Sequence, residues 1–423
     1  MLPVRYNHWQ MQFRLGMDPQ QAATVGSKGQ MKSVLISGTY FPPQVGGISR
    51  YMACVAKCLG PEEVCCFTGV RSSDNHQENG DEEKKLAARI YRRPWAFAGK
   101  SNLQGVALGA SVAEILVRER PQVVQLATAA EGYVALQLQR WLRLPYVVYA
   151  HGNEILDAAR STWDKPKLSL RRAARVLANS QFTADLVAKA GAEPQRIVVL
   201  HPGCDVEWYQ PREVSAESRL KMLRGQASAR VILSVGNLVQ RKGHDMVIRA
   251  LRAVLNDVPD ALYLVAGDGP YRSELESIAV QAGVRDRVIF AGSIAEKQLP
   301  EIYGLADVFV LPSRMRLESC DVEGFGMVFL EANACGKPVI GGRCGGIPDA
   351  IVEGTTGFLV DPLDPGEIAG TIVQLLDNPE LGRRMGSEGR QRVVRDFTWD
   401  RFASRLRAIL NSIISDGGGR EAA

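Results

Sequence analysis

The sequence predicts an α/β protein built from two doubly wound domains that face one another across a cleft. Three observations carry this. The chain has 423 residues, more than one ordinary domain holds and enough for two. Short apolar runs ending in small or polar residues alternate with longer amphipathic stretches, the pattern of parallel strands covered by helices on both faces. The rhythm breaks at a polar segment, Gln210 to Ala229, and then restarts, so two sheets are expected rather than one. Ligands of such folds bind beyond the carboxyl ends of the strands, which here means in the cleft.

Taken in order, residues 1–30 show no periodicity, end in the small-polar run GSKGQ, and read as a loose extension, with Met31 an alternative start. The first domain is expected over residues 31–208. Its strands are SVLIS (33–37), VCCFTG (64–69), VVQLA, PYVVYA (145–150), RVLANS (175–180) and RIVVLH (196–201), with helical periods such as Val106 to Arg120 and Phe182 to Ala190 between them. The second domain is expected over residues 209–395. Its strands are VILSVGN (231–237), LYLVAGDG (262–269), RVIFAG (287–292), DVFVLPS (307–313) and KPVIGG (337–342). Residues 396–423 hold an amphipathic helix, FTWDRFASRLRAILNSII, and a tail. A helix that crosses back to the first domain and a plain terminal helix both fit this pattern.

Composition narrows the function. A hydrophobic share of 46% fills two cores, and 23% charged residues is an average soluble surface. No stretch of about 18 uninterrupted apolar residues is present, and the N-terminus lacks the apolar region of a secretory signal. The eight cysteines include no CxxC pair and several lie in apolar runs such as EVCCF, so they read as reduced thiols rather than metal ligands. The expected location is cytoplasmic. The net charge of +5 is uneven: residues 31–205 carry +6 and residues 206–423 carry −3. The sharpest cluster, Arg160 to Arg175, holds six cations against Asp164 and follows His151 closely, which places it near the cleft mouth. It suits an anionic membrane or a phosphorylated acceptor, and equally a solvated helix face. Without a basic–aromatic stripe, nucleic acid is not an expected partner.

Four motifs carry chemistry. Gly46 and Gly47 fall in the first strand-to-helix turn, where bare backbone N–H groups and a helix N-terminus favour an anion; a plain turn is the alternative. His151 stands at the carboxyl end of PYVVYA, placed to meet a sugar hydroxyl or phosphate, or simply to cap the next turn. Arg241 and Lys242 precede Gly243 just after a second-domain strand, and a planar fork beside a point charge suits a diphosphate; a surface basic pair is the alternative. Finally, DVEGFGMVFLEANACG (321–336) sets Gly324 and Gly326 at a helix start between Glu323 and Glu331. If the whole span were helical, eight positions would cover about 12 Å, too far for an acid–base pair on one water, so the two carboxylates read as separate anchors for hydroxyls, with a helix face bearing two exposed acids as the alternative.

Together these motifs resemble the retaining nucleotide-sugar glycosyltransferases of family 4, which have the two-domain GT-B fold. The matching segments are GGIS (46–49), AHGNE (150–154), ANSQF (178–182), HPGCD (201–205), RKG (241–243), AGDGP (266–270), the Glu323/Glu331 pair, GKPVIGGRCGGIPD (336–349) and GFLVDP (357–362). The segment DVEGFG resembles that of phosphatidylinositol mannosyltransferase-like members.

The resemblance implies a role for each residue. Gly46 and Gly47 approach the donor diphosphate, His151 contacts the transferred sugar, and Lys242 neutralises the leaving diphosphate. Glu323 and the backbone of Gly324, Phe325 and Gly326 hold the sugar hydroxyls, Glu331 the ribose, and the backbone near Ile294 the base. Many members carry Arg where this chain has Asn237, so either Arg241 takes over the missing charge or the leaving group is stabilised more weakly or in a different way. The implied activity is transfer of a hexose, of mannose or glucose type, from a UDP- or GDP-linked donor to a hydroxyl of a lipid-linked or glycan acceptor, without metal or organic cofactor. Related GT-B activities, sugar-phosphate synthase or nucleotide-sugar epimerase, and a non-catalytic two-lobed sugar binder are the rivals.

Overall fold

The computed structural model describes residues 31–44, 46–70, 88–97, 102–160 and 165–418. The extension 1–30, the last residues of the tail and part of the segment Arg160 to Arg175 lie outside them. Seven strands form the first sheet: β1 (Ser33–Ser37), β2 (Val64–Thr68), β3 (Arg89–Arg92), β4 (Val123–Leu126), β5 (Tyr146–Ala150), β6 (Arg175–Ala178) and β7 (Ile197–Val199). Their spatial order is β3-β2-β1-β4-β5-β6-β7, and every neighbouring pair is parallel. Six strands form the second: β8 (Arg230–Val235), β9 (Ala261–Ala266), β10 (Val288–Gly292), β11 (Val308–Leu311), β12 (Val339–Gly342) and β13 (Gly357–Val360). Their order is β10-β9-β8-β11-β12-β13, again parallel throughout.

Central strands are buried along their whole length, as their uninterrupted apolar runs require when helices cover both faces. The two strands absent from the sequence reading are both edges. In β3 the run Arg-Ile-Tyr-Arg is only partly buried, and β13 opens on a glycine. Each sheet reverses its order once, between β1 and β4 in the first and between β8 and β11 in the second. At such a switch point successive connections leave in opposite directions and open a crevice at the strand ends. The loop after β1 carries Gly46, the loop after β8 carries Arg241 and Lys242, and the loop after β11 carries Glu323.

The helix Trp399–Gly418 crosses back onto the first domain. Phe402, Leu406, Leu410 and Ile413, spaced to share one helical face, are buried with Leu35, Tyr51, Met52 and Val55. Burying side chains of this size contributes about 1.5–3 kcal/mol each relative to exposure. Arg407 fixes the register, donating to the Glu63 carboxylate and to the Cys58 carbonyl, each at 2.8 Å. The two crossings between domains run side by side, the Cys204 N–H donating to the Phe397 carbonyl at 2.6 Å. None of the eight cysteines is joined to another in a disulfide. Burial pushes Cys54 up to about 11 and Cys65 up to about 12, so these thiols stay protonated and pack as small hydrophobes. Among the described residues no helix is long and apolar enough to cross a membrane, and no three His, Cys, Asp or Glu side chains are grouped to hold a metal ion.

Candidate active site

The loop after β8 turns through Gln240–Lys242 before the helix His244–Asp257. The neighbouring loop pins it, the Arg314 N–H donating to the Arg241 carbonyl at 2.7 Å. This presents two cations to one carboxylate. Glu323 Oε2 accepts from Lys242 Nζ at 2.6 Å and from Arg241 Nη1 at 2.7 Å, and Arg241 Nε reaches Asp321 Oδ1 at 2.6 Å. Burial alone would push the Glu323 carboxyl up, but Lys242 and Arg241 more than reverse this and hold it down to about 2. Burial also lowers the Lys242 ammonium, against the pull of Glu323. The cluster is thus an ionised carboxylate clamped by both cations expected to serve a diphosphate.

Glu323 lies on a loop pressed against the opposite domain. A Cβ on Gly324 would sit 1.8 Å from the His151 carbonyl oxygen, so only glycine permits the approach. Gly326 has φ +92°, a left-handed conformation that costs other residues, and the helix begins only at Met327 (Met327–Ala334). The helix start expected at the glycines thus falls just after Gly326: Glu323 precedes the helix, Glu331 rides on it, and the two share no hydrogen-bond partner among the bonds described. Phe325 turns its side chain into the core, its ring 5.4 Å from that of His201 and 6.1 Å from that of Phe397, which leaves only its backbone to face a ligand.

Glu331 is 3% exposed and doubly held. Tyr303 OH donates to Oε2 and Arg50 Nη1 to Oε1, each at 2.8 Å. Arg50 comes from the first domain, on the helix Gly47–Leu59, and its Nη2 also reaches Tyr209 OH at 2.9 Å and Glu296 at 3.3 Å. The Glu331 carboxylate raises the Arg50 pKa further above its already high value. Arg50 was not among the residues expected from sequence; the available signal was its place one helical turn beyond Gly47. Ile294 lies in the loop after β10, two residues before Glu296, and packs in part against the second-domain core.

His151 is 8% exposed and follows β5. Its Nε2 lies 2.9 Å from the Ala127 carbonyl, and since a carbonyl only accepts, Nε2 carries a proton, which leaves Nδ1 to face away from this bond. Tyr51 meets the ring edge-on at 5.3 Å. Asn153, two residues on, grips the acidic loop across the cleft: its Oδ1 accepts from Val322 N–H at 2.8 Å and its Nδ2 donates to Asp321 Oδ1 at 3.1 Å. A chain of contacts therefore runs from the His151 turn through Asn153, Asp321 and Arg241 to Glu323. A Cβ at Gly46 or Gly47 would meet no protein atom within 4 Å, so packing does not demand glycine at either position. Asn237 is exposed at the mouth beyond β8.

The basic segment is placed differently from expectation. Arg171 and Arg172 are exposed at the end of the helix Lys165–Arg172, and Arg175 opens β6. All three stand at the amino ends of the strands, the end away from the cleft. The cause is topological, because the chain must cross the whole domain after His151 to start the next parallel strand. The adjoining helix Gly132–Leu142 ends there too, with Trp141 68% exposed.

Residues 45–208 match the family described as Glycosyltransferase Family 4, and residues 223–392 match Glycosyl transferases group 1. Over 381 residues the chain is 30% identical to a GDP-mannose-dependent alpha-(1-6)-phosphatidylinositol monomannoside mannosyltransferase of Mycolicibacterium smegmatis, covering 88% of this chain and 96% of that one. It is 33% identical over 308 residues to a D-inositol 3-phosphate glycosyltransferase of Corynebacterium efficiens, covering 68% and 71%. Among solved structures, HepE of Anabaena in complex with UDP and glucose superposes with a TM-score of 0.74 at 21% identity, covering 90% of this chain and 100% of that one. At that identity the likeness speaks for the two-domain GT-B fold alone.

Proposed function

This chain belongs to the family 4 glycosyltransferases, and on that premise we propose that it transfers a hexose from a nucleotide diphosphate sugar to a hydroxyl with retention of anomeric configuration. The observation that carries the proposal is the half-buried Glu323 clamped by Arg241 and Lys242 at the switch point of the second sheet. When the donor enters, its diphosphate takes over the two cations, and the freed Glu323 carboxylate accepts from the sugar hydroxyls. Glu331 anchors the ribose, the backbone near Ile294 the base, and Gly46 and Gly47 leave room for the diphosphate. His151 offers Nδ1 to a sugar hydroxyl.

In the chemical step the bond from the anomeric carbon to the leaving phosphate oxygen breaks, and the acceptor oxygen bonds to the same face of that carbon. The acceptor proton passes to the departing phosphate. Lys242 and Arg241, fixed before the reaction, stabilise the charge that develops on the diphosphate. We propose that no divalent cation shares this task. Activity unchanged by EDTA is the expected result, and a strict metal requirement would overturn it.

Support for a GDP-mannose donor and a glycolipid acceptor comes from the Mycolicibacterium smegmatis mannosyltransferase, which aligns over 96% of its length. The inositol phosphate relative keeps a soluble phosphorylated acceptor as the second reading. Nucleoside diphosphate release from GDP-mannose and from UDP-sugars, with phosphatidylinositol monomannoside or inositol 3-phosphate as acceptor, separates these. Release stimulated by the glycolipid supports the first reading, stimulation by inositol phosphate the second, and no release from any donor contradicts both. The basic face with Trp141, Arg171 and Arg172 supports contact with an anionic bilayer, but at the end opposite the cleft, so it would tether the enzyme rather than present its acceptor. Co-sedimentation with anionic vesicles that weakens with salt is expected; equal binding to neutral vesicles contradicts it.

A further inference from the structure

A carboxylate receives the two hydroxyls of a ribose through its own oxygens. Both oxygens of Glu331 are already engaged, one by Arg50 and one by Tyr303, on a residue 3% exposed. Each oxygen keeps a second lone pair, but the carboxylate is buried beneath its two partners, and moving one of them aside is what opens it to a diol. Tyr303 is fixed: it is fully buried in the second-domain core, with the rings of Tyr209 and Phe309 5.8 and 5.9 Å away. Arg50 differs in each respect. Its side chain is 34% exposed, it belongs to the opposite domain, and a second carboxylate, Glu296, stands 3.3 Å from its Nη2. Glu296 is itself 58% exposed. A swing from Glu331 to Glu296 keeps the guanidinium paired, and so avoids leaving a charge unpartnered in the interface.

We propose that Arg50 is a latch: it holds the empty cleft shut by occupying the ribose anchor, and the incoming ribose releases it toward Glu296. The proposal rests on the assignment of Glu331 to the ribose. Arg50 touches no reacting atom; it is a positioning residue that sets how often the cleft is open to the donor. Because Glu296 is two residues from Ile294, the released guanidinium moves toward the base end of the site. Nucleotide binding and domain opening are then one equilibrium, and the latch lowers apparent affinity by the fraction of molecules it holds closed.

The test is calorimetric titration of the full chain with GDP and UDP, beside small-angle scattering of the free protein. Arg50→Met removes the charge and the fork but keeps an apolar stem. Its free form should have a larger radius of gyration than the free wild type. It should also bind the nucleoside diphosphate about tenfold tighter, if about one wild-type molecule in ten is unlatched. Arg50→Lys, which keeps a cation without the fork, should fall between and serves if the methionine variant fails to fold. Weaker binding by Arg50→Met, or unchanged binding with an unchanged radius, overturns the latch.

A 2′,3′-dideoxynucleoside diphosphate keeps the two readings apart. Wild type and Arg50→Met should both prefer the ribose form, and Glu331→Gln should lose that preference. Preference retained in Glu331→Gln overturns the ribose assignment and the latch with it. Preference lost there, without tighter binding in Arg50→Met, overturns the latch alone.

Discussion

Glu323 and Glu331 are eight residues apart and chemically identical, yet they are held in opposite ways. Glu323 is clamped by Arg241 and Lys242 of its own domain, on a loop that glycines hold against the His151 turn. Glu331 sits on a helix, and its cation is Arg50 from the other domain. The ion pairs of the first lie within one domain, although Asn153 of the other domain braces the loop that carries Glu323, whereas the ion pair of the second itself joins the two domains. A carboxylate neutralised within one domain suits a reacting centre that must be the same in every turnover. One neutralised across the cleft suits a binding contact that reports whether the cleft is occupied.

The widest difference between the two should appear in turnover. Lys242→Ala removes a fixed charge from the leaving group and should lower kcat by about 10²–10³-fold, or about 2.7–4 kcal/mol. Glu323→Gln should lower kcat on the same scale, while free nucleoside diphosphate binds as tightly as before or tighter, since Arg241 and Lys242 lose their competitor. Weaker nucleoside diphosphate binding by Glu323→Gln would show that the cations need the carboxylate to hold their places. Loss of a charged hydrogen bond at Glu331 is worth about 1.5–3 kcal/mol, so Glu331→Gln should raise donor KM by about 10- to 150-fold with kcat little changed.

Asn153→Ala leaves the Val322 N–H without its partner and frees Asp321 from the first domain. It should lower kcat by about tenfold or more, as expected for a buried donor left unsatisfied at about 1–3 kcal/mol. Unchanged kcat in Asn153→Ala would cut the chain of contacts between the two domains. Gly46→Ala makes the smallest structural change. Its melting temperature should match wild type because a Cβ there meets nothing, and any loss should appear in donor KM. A lowered melting temperature with normal KM would make the turn structural.

Acid should separate the buried groups by pH. Burial, with Lys242 beside it, holds the His244 imidazole down to about 3 from 6.5. The unfolded chain therefore takes up a proton that the native one refuses, and this contribution to stability is complete above pH 6.5 and lost as pH falls toward 3. Glu323, held down to about 2 from 4.5, stabilises fully above pH 4.5 and loses that contribution as pH falls through about 2. Urea unfolding should show stability falling below pH 6.5 at up to about 1.4 kcal/mol per pH unit for each proton taken up. Stability flat between pH 7 and 5 would mean that His244 is not buried as a neutral ring.

The sequence made the two-domain pattern and the strand-end places of Arg241, Lys242 and Glu323 legible, because each rests on a local pattern, but not the pairing of Glu323 with the two cations, which lie 82 and 81 residues away. Apolar runs mark β1 and β8 through the burial of both sheet faces, and Arg241-Lys242 and Glu323 each follow a strand end at a glycine turn. Edge strands were harder: β3 reads Arg-Ile-Tyr-Arg because one side of an edge strand meets water. Arg50 was not legible at all, since its partner lies 281 residues away and only the packing of one domain on the other brings them together. The basic segment was misplaced for a related reason, as closeness to His151 in sequence says nothing of which end of a parallel sheet the chain has reached.

Steady-state titration with the donor sugar nucleotide, comparing wild type with Glu323→Gln and Glu331→Gln, tests the division between the two carboxylates most directly. Glu323→Gln should lose kcat with KM nearly unchanged, and Glu331→Gln should raise KM with kcat nearly unchanged. A Glu323→Gln enzyme that is folded and keeps its kcat would contradict the account, because the clamped carboxylate would then serve the fold and not the transferred sugar.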